Sequence, residues 1–209
     1  MNPTPIRFYR DILSGHCHRV ELLLSMLELP FEAIDVDIGR GDLLKPEFVA
    51  LNRFSQVPVI VEDGVAVADS NAILVYLAKR HGSTVWLPED ALGASRVQRW
   101  LSAAAGPIAY GVARARMVSV FDAPFDANEA IAAGHRFLAV LDAELNGQVF
   151  VAAAHATIAD LACYSYVAHA PEGHVSLKDY PQVRRWIGRV EALSRFLPMP
   201  RSTPGRLAA

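Results

Sequence analysis

The stretch Ile6-Arg7-Phe8-Tyr9-Arg10-Asp11-Ile12-Leu13-Ser14-Gly15-His16-Cys17-His18-Arg19-Val20 decides how this chain reads. Its opening, Ile6 to Tyr9, is a short apolar run of the kind that forms a strand. After it, Val20, Leu23, Leu24 and Leu27 recur at i, i+3, i+4 and i+7, the apolar face of an amphipathic helix. Ser14 and Cys17 therefore stand where a strand hands over to a helix. The first N–H groups of a helix lack partners and the macrodipole is positive there. Such a turn binds an anion or turns a thiol into a thiolate.

Working outward, Ile34 and Val36 alternate with polar neighbours as in a second strand, and Pro46-Glu47-Phe48-Val49 reads as a short helix. Val57 to Val61 and Val65 to Val67 flank Asp63-Gly64, a strong hairpin signal. From Ser70 to His81 the period is helical, with Ile73, Leu74 and Leu77 on one face. Residues 1–81 thus read β-α-β-α-β-β-α, a small mixed sheet covered by helices. Beyond Trp86-Leu87-Pro88 only helices follow, and residues 90–209 read as a second, all-helical domain joined through His81 to Glu89. Val97, Leu101, Ala104 and Ile108 make one stripe, with a kink expected at Gly106-Pro107. Asp126 to Glu129 and Thr157 to Asp160 read as capping boxes. Asp179-Tyr180-Pro181 opens a last helix, with Val183, Trp186, Ile187 and Val190 inward. Trp86, Trp100 and Trp186 are expected as core anchors. His18 and Arg19 read as surface residues of the first helix, and the tail with Pro198, Pro200 and Pro204 as irregular.

Composition narrows the function classes. The 209 residues are 52% apolar and carry a net charge of −2, which gives no reason to expect nucleic acid or an anionic membrane as partner. No apolar run approaches the ~20 residues of a membrane span. The start, Met1 to Pro5, lacks a charged region followed by an apolar one, so no secretory signal is expected. The two cysteines, Cys17 and Cys163, lie in neither a CxxC nor a metal-ligand spacing. A reduced, cytoplasmic protein without a metal is the expectation. His169-Ala170-Pro171-Glu172-Gly173-His174 reads as a turn after a helix rather than as a metal site.

Two further motifs carry chemistry. In Gln56-Val57-Pro58 a proline opens an internal strand. Either the bond before it is cis, or it sits trans at an edge. In the first case Val57 can pair its backbone with an extended peptide. In Asp69-Ser70, Ser70 reads as a helix N-cap. If its N–H and hydroxyl point outward beside Asp69, the pair matches the carboxylate and ammonium of an α-amino acid. A thiol-activating turn, a backbone clamp and an amino-acid cradle together describe a site for glutathione.

At this point the chain resembles the glutathione S-transferase family, over nearly its whole length. Gln56-Val57-Pro58 is similar to the family's Q/K-V/L-P, Asp69 to Leu74 to its E/D-S-x-A-I-L, and Thr157 to Asp160 to its S/T-I/V-A-D helix box. The resemblance implies a thioredoxin-like first domain and an all-helical second domain. It also implies glutathione as co-substrate, a role in detoxification and a two-fold homodimer that buries the helix with Val97 and Leu101 against the partner's first domain. Leu13 to Val20 is similar to theta-type and related bacterial members, in which a serine donates to the glutathione sulfur. On that match Ser14 is the catalytic hydroxyl. A hydrogen bond to a charged acceptor contributes roughly 1.5–3 kcal/mol, enough to lower the bound thiol's pKa by about one to two units.

Cys17 is the alternative, at the position where beta-type bacterial members carry a cysteine that forms mixed disulfides with glutathione. Ser14 is favoured, because a residue one turn into the helix is usually the more buried. His16 lies between them, either a donor to the sulfur or a solvent-facing residue. Gln56, Val57, Pro58, Asp69 and Ser70 would hold glutathione. Where relatives often place a basic residue for the glycine carboxylate, this chain has Leu43 and Leu44, so Lys45 or Arg40 is expected to substitute. The usual asparagine-proline-x-glycine run is here Asn52-Arg53-Phe54-Ser55. Tyr110, Ala113, Arg114 and Met117 share a helix face and would line the pocket for an apolar electrophile. Two other functions stay open: disulfide or peroxide reduction through Cys17, and a non-catalytic carrier of glutathione or an apolar ligand.

Overall fold

The computed structural model describes residues 5–202; the start Met1–Thr4 and Pro204 lie outside them. Strand β1 (Ile6–Arg10) is followed by helix α1 (Gly15–Met26), β2 (Phe31–Asp35), a short 3-10 turn and α2 (Pro46–Leu51). Then come β3 (Val59–Glu62), β4 (Val65–Ala68) and α3 (Ser70–Arg80). The sheet order is β2-β1-β3-β4, with β1 parallel to β2 and antiparallel to β3. Asp63 and Gly64 both have positive φ, 49° and 80°, as a tight two-residue hairpin with right-handed strand twist requires. Every residue of β3 is buried, because the sheet is covered on both faces. Ile60 packs with Leu23, Leu24 and Leu74 of α1 and α3, while Val59 packs with Phe48 of α2 and Val36. This three-layer arrangement is thioredoxin-like.

The remainder is helical: α4 (Ala91–Ala103), a π-helix (Ala104–Ala113), α5 (Arg114–Phe121), α6 (Ala127–Glu144), α7 (Ile158–Ala168) and α8 (Pro181–Glu191). α7 is buried almost all round, as the central helix of such a bundle must be. One apolar core runs without a break from α1 and α3 into α4 and α7. Among the described residues no helix is long and apolar enough to cross a membrane.

Several expectations change. The break at Gly106-Pro107 is a ten-residue π-helix, whose wider turns absorb the proline's missing donor. Helix α3 is capped by Asp69, which accepts from the N–H groups of Asn71 and Ala72, so Ser70 is its first residue and not its cap. His18 and Arg19 are 3% and 0% exposed, because the helical bundle packs over the face of α1 that sequence periodicity leaves polar. Val97 and Leu101 are 1% and 4% exposed within this chain, so of α4 only the remaining, largely exposed residues are open to a second copy. Asp126 caps α6 through the Glu129 N–H, and Thr157 with Asp160 forms a complete reciprocal box on α7. Trp100 and Trp186 are buried, whereas Trp86 is only partly so.

Candidate active site

A cleft of about 1260 Å³ opens between the carboxyl end of β1, the loop ahead of β3, the start of α3 and the π-helix with α5. It brings together Ser14, His16, Gln56, Val57, Pro58, Asp69 and Ser70, which are separated by up to 56 positions in sequence. Ser14 caps α1: its Oγ accepts from the Cys17 N–H at 3.4 Å. The hydroxyl keeps one rotatable proton, which can be donated to the Cys17 sulfur or into the cleft.

Cys17 lies behind Ser14 and is 1% exposed. It does not line the cleft. Its Sγ accepts from the Asp11 N–H at 3.4 Å, and burial pushes the thiol up to about 12. At neutral pH it is an un-ionised, enclosed thiol; Cys163 is also a free buried thiol.

His16 places Nδ1 3.2 Å from Ser70 Oγ and its ring edge-on to Tyr166, with centroids 5.0 Å apart. Burial, aided by the charge of Arg19, lowers its imidazole to about 3, so it is neutral. Ser70 is 4% exposed, and its Oγ also lies 3.4 Å from Nη1 of Arg19. Asp69, exposed and at φ 72°, spends Oδ1 on two α3 amides at 2.9 Å each.

The loop ahead of β3 is held by Asn52, whose Nδ2 donates to the Gln56 carbonyl at 2.8 Å and whose Oδ1 accepts from Phe54 N–H at 3.0 Å. The Val57–Pro58 bond is cis, which decides between the two geometries the sequence leaves open. Val57 stands just ahead of the β3–β4 ladder, which begins at Val59.

Other residues fall elsewhere. Lys45 pairs with Asp42 at 2.6 Å and borders a separate hollow of about 180 Å³, away from the cleft. Arg40 is paired with Asp37 at 3.2 Å. The exposed cation on this rim of the cleft is Arg53. Ala113 and Met117 line the helical wall together with Ala109 and Phe121, whereas Tyr110 and Arg114 do not. The Arg114 guanidinium lies instead between the rings of Tyr110 and Phe125, 4.8 and 4.6 Å from their centroids. The His169–His174 segment is a 3-10 turn whose Glu172 is bonded to Arg116, and no metal-binding group of side chains occurs among the described residues.

Besides Arg53, Ala109 and Phe121, two lining residues that join the halves escape sequence reasoning. Tyr166 of α7 crosses to the first half, and its ring atoms lie 2.9 Å from where a Cβ on Gly15 would stand; only glycine fits beside Ser14. Arg116 of α5, 1% exposed, donates from Nη1 to the Leu13 carbonyl at 2.8 Å and from Nε to Glu172 at 2.7 Å. Neither carries a local signal that it reaches the other half of the chain.

Comparison with known proteins accords with this geometry. Residues 13–80 match the family description "Glutathione S-transferase, N-terminal domain" and residues 112–194 match "Glutathione S-transferase, C-terminal domain". A solved glutathione S-transferase from Pseudomonas fluorescens Pf-5 superposes with a TM-score of 0.89 at 30% identity, over 94% of this chain and 99% of that one. Glutathione S-transferase theta-1 of Bos taurus is 27% identical over 198 residues, 90% of this chain and 82% of the relative. The disulfide-bond oxidoreductase YfcG of Escherichia coli (strain K12) is 26% identical over 185 residues, 84% of this chain and 85% of the relative. With the thioredoxin-like half and the helical half each matched, the chain belongs to the glutathione S-transferase family.

Proposed function

We propose that this protein is a glutathione transferase in which the Ser14 hydroxyl stabilises the thiolate of glutathione for attack on an electrophilic small molecule. The observation that carries the reading is the convergence of Ser14, Val57 and Ser70 on one cleft from which Cys17 is shut out. Residues 1–81 act as the glutathione-binding domain and residues 90–209 supply the second-substrate wall. Val57 pairs with the cysteinyl backbone, while Gln56, Asp69 and Ser70 hold the γ-glutamyl end. Arg53, rather than Lys45, takes the glycyl carboxylate. Ala109, Ala113, Met117 and Phe121 face an apolar electrophile, which fits a detoxifying role. Rate comes from thiolate formation and from holding both reactants together. Cytoplasmic location and a homodimer belong to the same reading; sedimentation as a monomer at micromolar concentration would remove the latter.

The test is Ser14→Ala, assayed with glutathione and an aryl halide. Loss of one charged hydrogen bond raises the bound thiol's pKa by about one to two units and lowers turnover near neutral pH about tenfold or more. Glutathione affinity by calorimetry stays close to wild type. Unchanged turnover takes Ser14 out of the mechanism.

A second reading, disulfide reduction, is motivated by the likeness to YfcG. Its version through Cys17 requires a glutathione adduct on that residue after treatment with oxidised glutathione. The enclosed, protonated thiol argues against such an adduct, and intact-mass spectrometry reads it directly.

A further inference from the structure

We infer that Arg19 is the buried countercharge for the α-carboxylate at the γ-glutamyl end of glutathione, and that it acts as a positioning residue through Ser70 and Asn71. The inference rests on the glutathione reading above and adds a residue that the family motifs in this chain do not include.

Arg19 is fully enclosed between α1, α3 and α7. Its Nη1 donates to Asn71 Oδ1 at 3.0 Å and to Ser70 Oγ at 3.4 Å, both neutral groups. Its Nε and Nη2 have no hydrogen-bond partner among the described residues. The guanidinium lies over the Tyr166 ring, 5.8 Å from the centroid. Buried arginines are normally paired with a carboxylate, because an uncompensated charge in a low dielectric is costly. The carboxylate nearest in sequence to its partners, Asp69, favours the guanidinium through its charge but makes no hydrogen bond to it and caps α3 through Oδ1. Arg19 is thus a cation whose natural complement is an anion on the far side of Ser70.

Proton placement points the same way. A guanidinium only donates, so Ser70 Oγ accepts from Arg19 and must direct its own proton elsewhere. His16 Nδ1 lies 3.2 Å from the same oxygen, and both His16 and Ser70 line the cleft, so that proton can serve the neutral imidazole or turn to a ligand there. A hydroxyl backed by a buried cation is a stronger donor, and weak screening lets the charge act across it. A carboxylate seated at the start of α3 would meet this polarised hydroxyl, the positive end of the helix and the guanidinium behind them. Asp69, exposed beside it, suits the ammonium of the same amino-acid end.

A purely structural Arg19, tying α1 to α3, would make the ligand's carboxylate irrelevant to it. The test therefore varies the ligand as well as the protein. Binding of reduced glutathione is compared by calorimetry with binding of its γ-aminobutyryl analogue, the same tripeptide without the α-carboxylate. Wild type should prefer glutathione by roughly 10- to 100-fold, the range of a hydrogen bond to a charged group. In Arg19→Met most of that preference disappears while the analogue's affinity barely changes, and Arg19→Lys restores much of it. In turnover, Arg19→Met raises KM for glutathione and leaves kcat at saturation within about twofold, since the interaction removed is equal in ground and transition states. A wild-type preference persisting in folded Arg19→Met, or in Arg19→Gln should the methionine variant not fold, overturns the proposal. So does a wild type that binds the two peptides equally. Failure of wild type to bind glutathione at all would instead overturn the glutathione reading, and this inference with it.

Discussion

Ser14 and Cys17 are three positions apart on one turn, yet their environments separate them completely. The hydroxyl is half-buried on a cleft; the thiol is sealed behind it and held protonated by desolvation. His18 shows the same effect of burial on a residue that sequence alone places at the surface. Its Nε2 donates to the Leu197 carbonyl at 2.8 Å and its Nδ1 accepts from the Ser165 hydroxyl at 2.9 Å, so the neutral ring is fully satisfied. Burial lowers its imidazole to about 4, well below its value in the unfolded chain. Below the unfolded pKa the unfolded chain therefore binds the extra proton, and stability falls as pH drops from about 6.5 towards 4, by about 3 kcal/mol in full. His18→Gln removes this titration. The fall in urea midpoint between about pH 7 and about pH 4 should be smaller in the variant, and an unchanged fall would assign the acid limb to other groups.

Among elements, the start of α7 shows how much one acidic side chain can organise. Asp160 accepts from Thr157 N–H at 2.9 Å, Val151 N–H at 3.0 Å and Trp186 Nε1 at 2.9 Å, joining a helix cap to a loop and to α8. The capping box is legible in sequence; the reach to Val151 and Trp186 is not. Asp160→Ala leaves these donors unpaired inside the core and should cost at least about 3 kcal/mol in urea unfolding. Because none of the hydrogen-bond partners of Asp160 among the described residues lines the cleft, the folded fraction should keep a wild-type KM for glutathione. The π-helix is the converse case: the sequence marks a break at Pro107, but the choice of a π-helix over a simple kink depends on what the helix packs against.

At the scale of the molecule, Arg116 couples the two halves. It grips the Leu13 carbonyl immediately before Ser14 and is itself held by Glu172. Arg116→Met should destabilise the fold by about 3–5 kcal/mol, mostly by taking the charged partner from buried Glu172, which keeps only the Ser202 N–H at 3.2 Å and His169 beside it. The double variant Arg116→Met with Glu172→Gln should recover much of that stability, measured by urea unfolding, without recovering kcat on the aryl halide. Recovery of both would mean that Arg116 has no part in presenting Ser14. Lys45 teaches a related lesson: a cation at a plausible sequence position is satisfied locally by Asp42, whereas Arg53 reaches the rim of the cleft.

Hydrophobic period, turn chemistry and capping residues act over a few neighbouring positions, so the sequence by itself determined the order of strands and helices, the hairpin at Asp63-Gly64 and the caps at Asp126 and Thr157. It also located the three segments that meet at the cleft. Only tertiary structure decided what lies between them: the cis bond at Val57–Pro58, Asp69 rather than Ser70 as cap, the enclosure of Cys17, His18 and Arg19, and the arrival of Tyr166 and Arg116 from the helical half. Those outcomes depend on which surfaces are taken out of water when the halves pack, and desolvation is set by neighbours in space rather than along the chain.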